Sequence, residues 1–265
     1  MRSPPNFRPL FAVLFLLLLS LSGCGSGSDR LIEETFERLY TIEPTANISI
    51  QNGDGAILVY GSNTNEMRIH ATKKAYSRAR LKEIAIDVSV KPDSVSITVK
   101  FPHKPIWSLS DRSGTVDCTI VVPATANISA LRLDAGEVHV DGMGGRNVNA
   151  QLGDGRLFAH NCFAGIDLAV QRGNLAISYD WWEPEPFSVQ ADIRRGNAWA
   201  FFPSNAAFHL VAETAHGKVD SDFDNSPVAR LAGPGKLDKL VNGGGQAVIR
   251  MRTANGDVRI VEANP

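Results

Sequence analysis

Positions 51–60 read QNGDGAILVY, and a close copy, QLGDGRLFAH, stands at 151–160. Two readings compete for the shared Gly-Asp-Gly. A glycine-rich loop cradles phosphate when a helix N-terminus comes after it. A glycine also supplies the positive φ of a tight turn. The residues after each glycine decide between the two. Aligned on Gly55, Gly136, Gly155, Gly173, Gly196, Gly217 and Gly256, the chain carries Ile57/Val59, Val138/Val140, Leu157/Ala159, Leu175/Ile177, Ala198/Ala200, Val219/Ser221 and Val258/Ile260 two and four residues later. The positions between are mixed, with His139, Asp220 and Arg259 among them. Upstream, Val148/Ala150, Ile166/Leu168, Val189/Ala191, Leu210/Ala212 and Ile249/Met251 repeat the pattern. Period two marks a strand with one buried face. Each unit is therefore strand, glycine turn, strand, and the phosphate reading falls.

From Gly136 to Gly217 the glycines are spaced by 19, 18, 23 and 21 residues. A period of that size predicts a solenoid, because one unit cannot bury its apolar face alone and must stack on the next. The expected fold is all-β, a single-domain parallel β-helix with an irregular N-terminal part. Asp54, Asp154 and Asp257 beside the glycines suit corners. Gly233-Pro-Gly235 lacks the third glycine and the helix of a dinucleotide fingerprint.

Before the regular units (126–262), the segment 36–125 contains one complete unit ending at Tyr60. It also contains expected strands at 66–71, 84–90, 95–101 and 116–122, and an expected short helix at 76–83. Lys91-Pro-Asp-Ser94 reads as a turn between two of them. TANIS occurs at Thr45 and again at Thr125. The Pro/Gly-rich segment 225–246 reads as a lid-like loop inserted between the last two units.

Arg2 and Arg8 precede the apolar run LFAVLFLLLLSL at 10–21, too short for a comfortable membrane span. It ends in Leu21-Ser-Gly-Cys24, which resembles the bacterial lipobox. Cleavage before Cys24 gives a signal peptide at 1–23 and a lipidated Cys24 with a Gly/Ser tether at 24–35. Acyl chains, at about 0.8 kcal/mol per buried methylene, would hold it to a membrane. Gly25 after the cysteine fits the outer membrane of the cell envelope. The mature chain would keep 25 basic and 28 acidic residues, so bulk charge gives no reason to expect nucleic acid. Cys118 and Cys162 would remain as a disulfide or as two small buried hydrophobes.

The lipobox, the early NGDG strand pair, the Val-Val-Pro-Ala entry at 121–124, the ladder of glycine turns and the closing MRTANGDVRIVE together resemble the bacterial putative-adhesin family of cell-envelope β-solenoid proteins. The resemblance covers 36–262. It implies a right-handed parallel β-helix in the envelope and brings no catalytic residues.

None of the six histidines, including His139 and His160, stands in a metal-ligand spacing with cysteines or acids. No nucleophile elbow or calcium nonapeptide is present, and no cofactor is expected. Arg172, Arg194, Arg195 and Lys218 fall at or near turn glycines, as a solvated edge or as a basic stripe for a uronate or an anionic lipid. Phe158, Trp199 and Phe201 occupy outward positions, and Trp181 and Trp182 sit in the turn segment SYDWWEPEPF. Clustered exposed aromatics mark interfaces, and Trp181 and Trp199 are expected to line one lateral patch. The reading is a lipid-anchored, non-enzymatic envelope protein that presents a binding or adhesion surface to glycan, peptidoglycan or an envelope protein. A polysaccharide-active β-helix enzyme and a structural or regulatory envelope protein are the alternatives. The enzyme would need paired acids across a groove.

Overall fold

The computed structural model describes residues 31–102, 114–223 and 235–263. The segment 1–23, expected to be a signal peptide, and Cys24 lie outside them. Within the described residues sixteen strands join in one all-β sheet that does not close on itself. The repeat units are its tiers. In β2 (Asn47–Ser62), β7 (Asn127–Asp141), β8 (Asn147–His160) and β9 (Gly165–Ser178) one long strand bends at the glycine. In β10 (Ser188–Arg195) with β11 (Ala198–Pro203), β12 (Phe208–His216) with β13 (Val219–Ser221), and β15 (Ala247–Asn255) with β16 (Val258–Ala263), the glycine separates two strands. Each tier thus has a first arm before its glycine and a second arm after it.

Tiers stack in parallel and in register. Ala150, Leu168, Ala191, Met251 and Ala212 form one inward row of the first arm. Leu157, Leu175, Ala198 and Val258 form one of the second. Every one of these residues is buried, within a single continuous core. Period-two alternation puts them there, and burying each Val, Leu or Ile contributes about 1.5–3 kcal/mol.

The glycine column explains the opening repeat. Gly136, Gly155, Gly173 and Gly196 have φ between 131° and 136°. A Cβ built on any of them would lie 1.6–1.8 Å from the carbonyl oxygen of the glycine one tier before. Both the backbone angle and the close stacking therefore demand glycine. The two TANIS segments stack in the same way. The Asn127 amide N–H donates to the Ala46 carbonyl at 2.9 Å, and the Thr125 hydroxyl donates to the Pro44 carbonyl at 2.8 Å.

The order of stacking departs from chain order at both ends. The C-terminal tier, β15–β16, is not stacked beyond β12–β13. It lies between β10–β11 and β12–β13, with Ile249 beside both Val189 and Leu210. The glycine column accordingly runs Gly196, Gly256, Gly217. At the other end β5 (Ser94–Lys100) and β6 (Thr115–Pro123) pair in parallel with the two arms of β2, outside it. The chain therefore lays its second tier before its first and its eighth before its seventh.

Antiparallel strands finish both ends. β3 (Glu66–Ala75) pairs β6, β1 (Ile32–Thr41) pairs β3, β4 (Ala85–Lys91) pairs β5, and β14 (Lys236–Val241) pairs β12. Such strands end the parallel array and leave charged edges. The short helix α1 (Arg78–Glu83) comes after β3, with the Ser77 hydroxyl accepting from the Arg80 amide at 3.2 Å.

Two boundaries differ from the sequence reading. The tether assigned to 24–35 already includes strand from Ile32, where Glu33, Glu34 and Glu37 dilute the alternation of β1. The inserted segment 225–246 is not loop throughout. Its described part contains β14, whose burial alternates, with Leu237, Lys239 and Val241 turned inward, and which pairs with the edge of β12. The cysteines also settle. Cys118 and Cys162 are free, buried thiols on the first and fourth tiers, three steps of about 4.8 Å apart along the stack, too far to bridge. Burial pushes both thiols up to about 12, which makes them inert small hydrophobes.

Candidate functional site

The two arms turn different surfaces outward. On the first arm the outward row Gln51, Arg132, Gln151, Ala169, Asp192, Arg252, Glu213 is polar. Its charges compensate one another at the C-terminal end, where Glu213 meets Lys236 at 3.0 Å and Arg252 at 3.3 Å.

The second arm carries two outward rows of another character. One runs Leu58, His139, Phe158, Ala176, Trp199, Arg259, and the other runs Tyr60, Asp141, His160, Ser178, Phe201, Val261. All of these up to Trp199 and Phe201 are half-buried. Tyr60 and His139 have ring centroids 5.6 Å apart, His139 and Phe158 5.0 Å, and Phe158 and His160 5.8 Å. Only His139 and Phe158 are register partners, brought into contact by the strand spacing of about 4.8 Å; Tyr60 meets His139 diagonally, and Phe158 and His160 are two residues apart on one strand. Small Ala176 and Ser178 then open a gap before Trp199 and Phe201. The patch spans five tiers.

Polar groups border the gap. His160 Nδ1 is 3.0 Å from an Asp141 carboxylate oxygen, and its Nε2 is 3.0 Å from one of Asp180. The Asn161 side-chain amide also donates to Asp180 at 3.1 Å. The bond to His160 first, and then that to Asn161, holds the Asp180 carboxyl below the usual carboxylate range. His139 is different: desolvation lowers its pKa, only partly opposed by Asp141, and its buried Nε2 has no hydrogen-bond partner.

Phe158, Trp199 and Phe201 therefore lie together on the second-arm face. Trp181 and Trp182 do not join them. They belong to a ring cluster at the opposite turn of the tiers, with Tyr179, Phe163, Phe187, Phe202 and Phe208. Trp182 packs against that core, whereas Trp181 is 50% exposed and its indole N–H donates to Glu183 at 3.0 Å. Among the described residues no ring contact links Trp181 with Trp199, so the expected single patch is two. The turn segment gave no period that could place Trp181. Sequence reasoning missed Leu58 and Tyr60, although they stand three and five residues after Gly55, the offsets that flagged Phe158 and Phe201.

The three arginines gather on the glycine ridge. They line a cavity of about 230 Å³ together with Gln171. Arg172 is already paired, its guanidinium donating to both carboxylate oxygens of Asp154. That bond lowers the Asp154 carboxyl and raises Arg172. Among the described residues the Arg194 and Arg195 side chains make no hydrogen bond or ion pair.

No protein-family model matches the chain, and no curated protein does. Solved structures do. A putative cell adhesion protein from Clostridium sporogenes ATCC 15579 is similar over 87% of this chain and 100% of its own, with 16% identity and a TM-score of 0.52. A putative adhesin from Bacteroides fragilis NCTC 9343 is 11% identical over 86% of this chain and 97% of its own, with a TM-score of 0.31. A third, a putative adhesin from Parabacteroides merdae ATCC 43184, is 10% identical over 86% and 97%, with a TM-score of 0.22. The first shares the fold. These structural neighbours bear the family name that the sequence resemblance points to.

Proposed function

We propose that this chain is a non-enzymatic binding protein of the bacterial cell envelope, and that the outward face of the second arm is its binding surface. One observation carries the reading. Leu58, Tyr60, His139 and Phe158 on three adjacent tiers, and Trp199 and Phe201 beyond the small Ala176 and Ser178, share one outward face beside a polar first-arm face. Rows of half-exposed rings rimmed by carboxylates and amides suit a glycan, whose sugars offer flat C–H faces and hydroxyls together. The adhesion names of the structural neighbours support a binding role over catalysis.

The finer architecture belongs to the same reading. The parallel register and the near-constant period support a solenoid, which we take to be right-handed, and stacking of this kind displays side chains in rows. Lipidation at Cys24 would tether the stack to the outer membrane. Among the described residues no helix is long and apolar enough to cross a membrane.

The test uses the mature chain, carrying Cys24→Ser and purified without lipid, in sedimentation with isolated peptidoglycan and with envelope polysaccharide. Trp199→Ala with Phe201→Ala should weaken sedimentation at least fivefold, while Trp181→Ala leaves it unchanged. Equal loss with Trp181→Ala, or none with the first pair, would overturn the assignment of this face. Protease shaving of intact and lysed cells, with and without Cys24→Ala, tests the anchor.

A further inference from the structure

The ridge beside the aromatic face carries a charge arrangement that the fold alone does not account for. Arg172 and Arg195 are direct register partners on adjacent parallel strands. Like charges placed opposite each other destabilise a sheet pair. One of the two is relieved. Asp154, one tier below Arg172, presents its carboxylate to that guanidinium in a two-pronged bond. Arg195 has no such relief. Its neighbour on one side is Arg172 and on the other Asn255, whose amide reaches the Arg194 carbonyl instead, at 3.4 Å. Arg194 is equally unpaired among the described residues. Two free guanidiniums thus face a cavity of about 230 Å³ whose third arginine is already satisfied.

We infer that Arg194 and Arg195 bind a carboxylate of the ligand, and that the glycan taken up by the aromatic face contains uronic acid. The inference rests on the proposed role of that face. The structure shows the chemistry one tier away: a planar carboxylate fits this column of guanidiniums side-on, as Asp154 fits Arg172, and Arg195 presents the same fork without a carboxylate to fill it. Arg195 and Trp199 lie on the same tier, on either side of the Gly196 corner. A sugar that stacks on the ring face can therefore extend its charged substituents, or its neighbour's, to the ridge.

The test compares oligogalacturonate with the same oligomer as its methyl ester, which keeps the sugar and removes the charge. Binding to the mature chain is measured by isothermal calorimetry at 20 and 150 mM salt. The acid form should bind tighter than the ester. Arg194→Gln with Arg195→Gln should remove that advantage, a loss of roughly two- to tenfold for two exposed charge pairs. Higher salt should shrink it too, as the Debye length falls. Equal binding of acid and ester, or an unchanged advantage in the double variant, would overturn the inference. So would inorganic phosphate competing as well as free galacturonate, since the site would then read charge and not carboxylate. Trp199→Ala separates the two proposals. If it abolishes binding of the ester while the arginine variant changes nothing, the aromatic face stands and the carboxylate site falls. If neither oligomer binds, the inference fails, and the sedimentation experiment alone decides the face. Both arginines are exposed, so the double variant should keep the wild-type melting temperature, which circular dichroism checks.

Discussion

The middle of the stack and its C-terminal end are built from the same glycine-cornered unit, whereas at the N-terminal end two separate strands, β5 and β6, supply the arms, and the tiers are connected differently. From β7 through β8 and β9 to β10–β11, each tier lies on the one just before it in the chain. At both ends the order reverses, and the last tier laid in sequence is locked between two others. The difference teaches how an open stack can be finished. A terminal tier of a sequential stack frays, because it holds neighbours on one side only. Here the C-terminal β15–β16 pairs on both sides, and the exposed position falls to β12–β13, which β14 covers on its first arm.

Removing β15–β16 breaks this comparison most severely. A chain ending at Gln246 loses Ile249, Met251, Val258 and Ile260, each worth about 1.5–3 kcal/mol of burial. It also strips β12 of its parallel partner. Hydrogen exchange should show loss of protection in β12, β13 and β14 as well, while 127–178 stays protected. Protection surviving throughout β12 would refute the interlocked order.

A smaller effect separates centre from end by glycine. Gly155→Ala should destabilise by about 3 kcal/mol or more in urea unfolding, since φ is 136° and the new Cβ would lie 1.8 Å from a backbone oxygen. At Gly217 the same change meets the Gly256 oxygen at 2.0 Å. Its end tier is free to shift outward, so the loss should be less than half as large. Gly144→Ala, where no atom lies within 4 Å, should stay within about 0.5 kcal/mol.

Side chains on the outer surface sharpen the contrast further. Phe158→Ala, in the middle of the ring row, should lose about 1–2 kcal/mol through its contacts with His139 and His160. Leu39→Ala on edge strand β1, where the residue is 53% exposed, should lose about 0.5 kcal/mol or less.

The smallest effect is a pH dependence confined to the centre. Burial, opposed by Asp141 and Glu137, holds His139 below its ordinary value of 6.5. The unfolded chain therefore takes up this proton at higher pH than the folded one. Stability should fall as pH drops from about 7 through 6.5 and level off once the folded state also protonates. In urea melts between pH 5 and 8, His139→Phe should flatten that part of the curve. An unchanged slope would assign it elsewhere.

Much of this was legible in the residues. Alternation around Gly155 and its counterparts identified strands, corners and the inward rows, because period two is local and each corner needs glycine for its own backbone. It also placed Phe158, Trp199 and Phe201 outward. Trp181 escaped because the SYDWWEPEPF turn has no period, so its side chains are oriented by the cluster around Tyr179. The burial of Cys118 and Cys162 on tiers too far apart to bridge likewise depends on stacking.

By itself the sequence determined the unit: two arms, a glycine corner, an apolar inner row and a mixed outer one, each the product of contacts a few residues apart. Only the tertiary structure decided which unit lies on which. Gly256 stacks between Gly196 and Gly217, and β2 lies inside β5 and β6. The units present nearly equivalent apolar faces, so local pattern accepts several orders. The choice falls to what binds each end, namely the antiparallel strands β3, β4 and β14 and the pairing of the C-terminal tier on both sides.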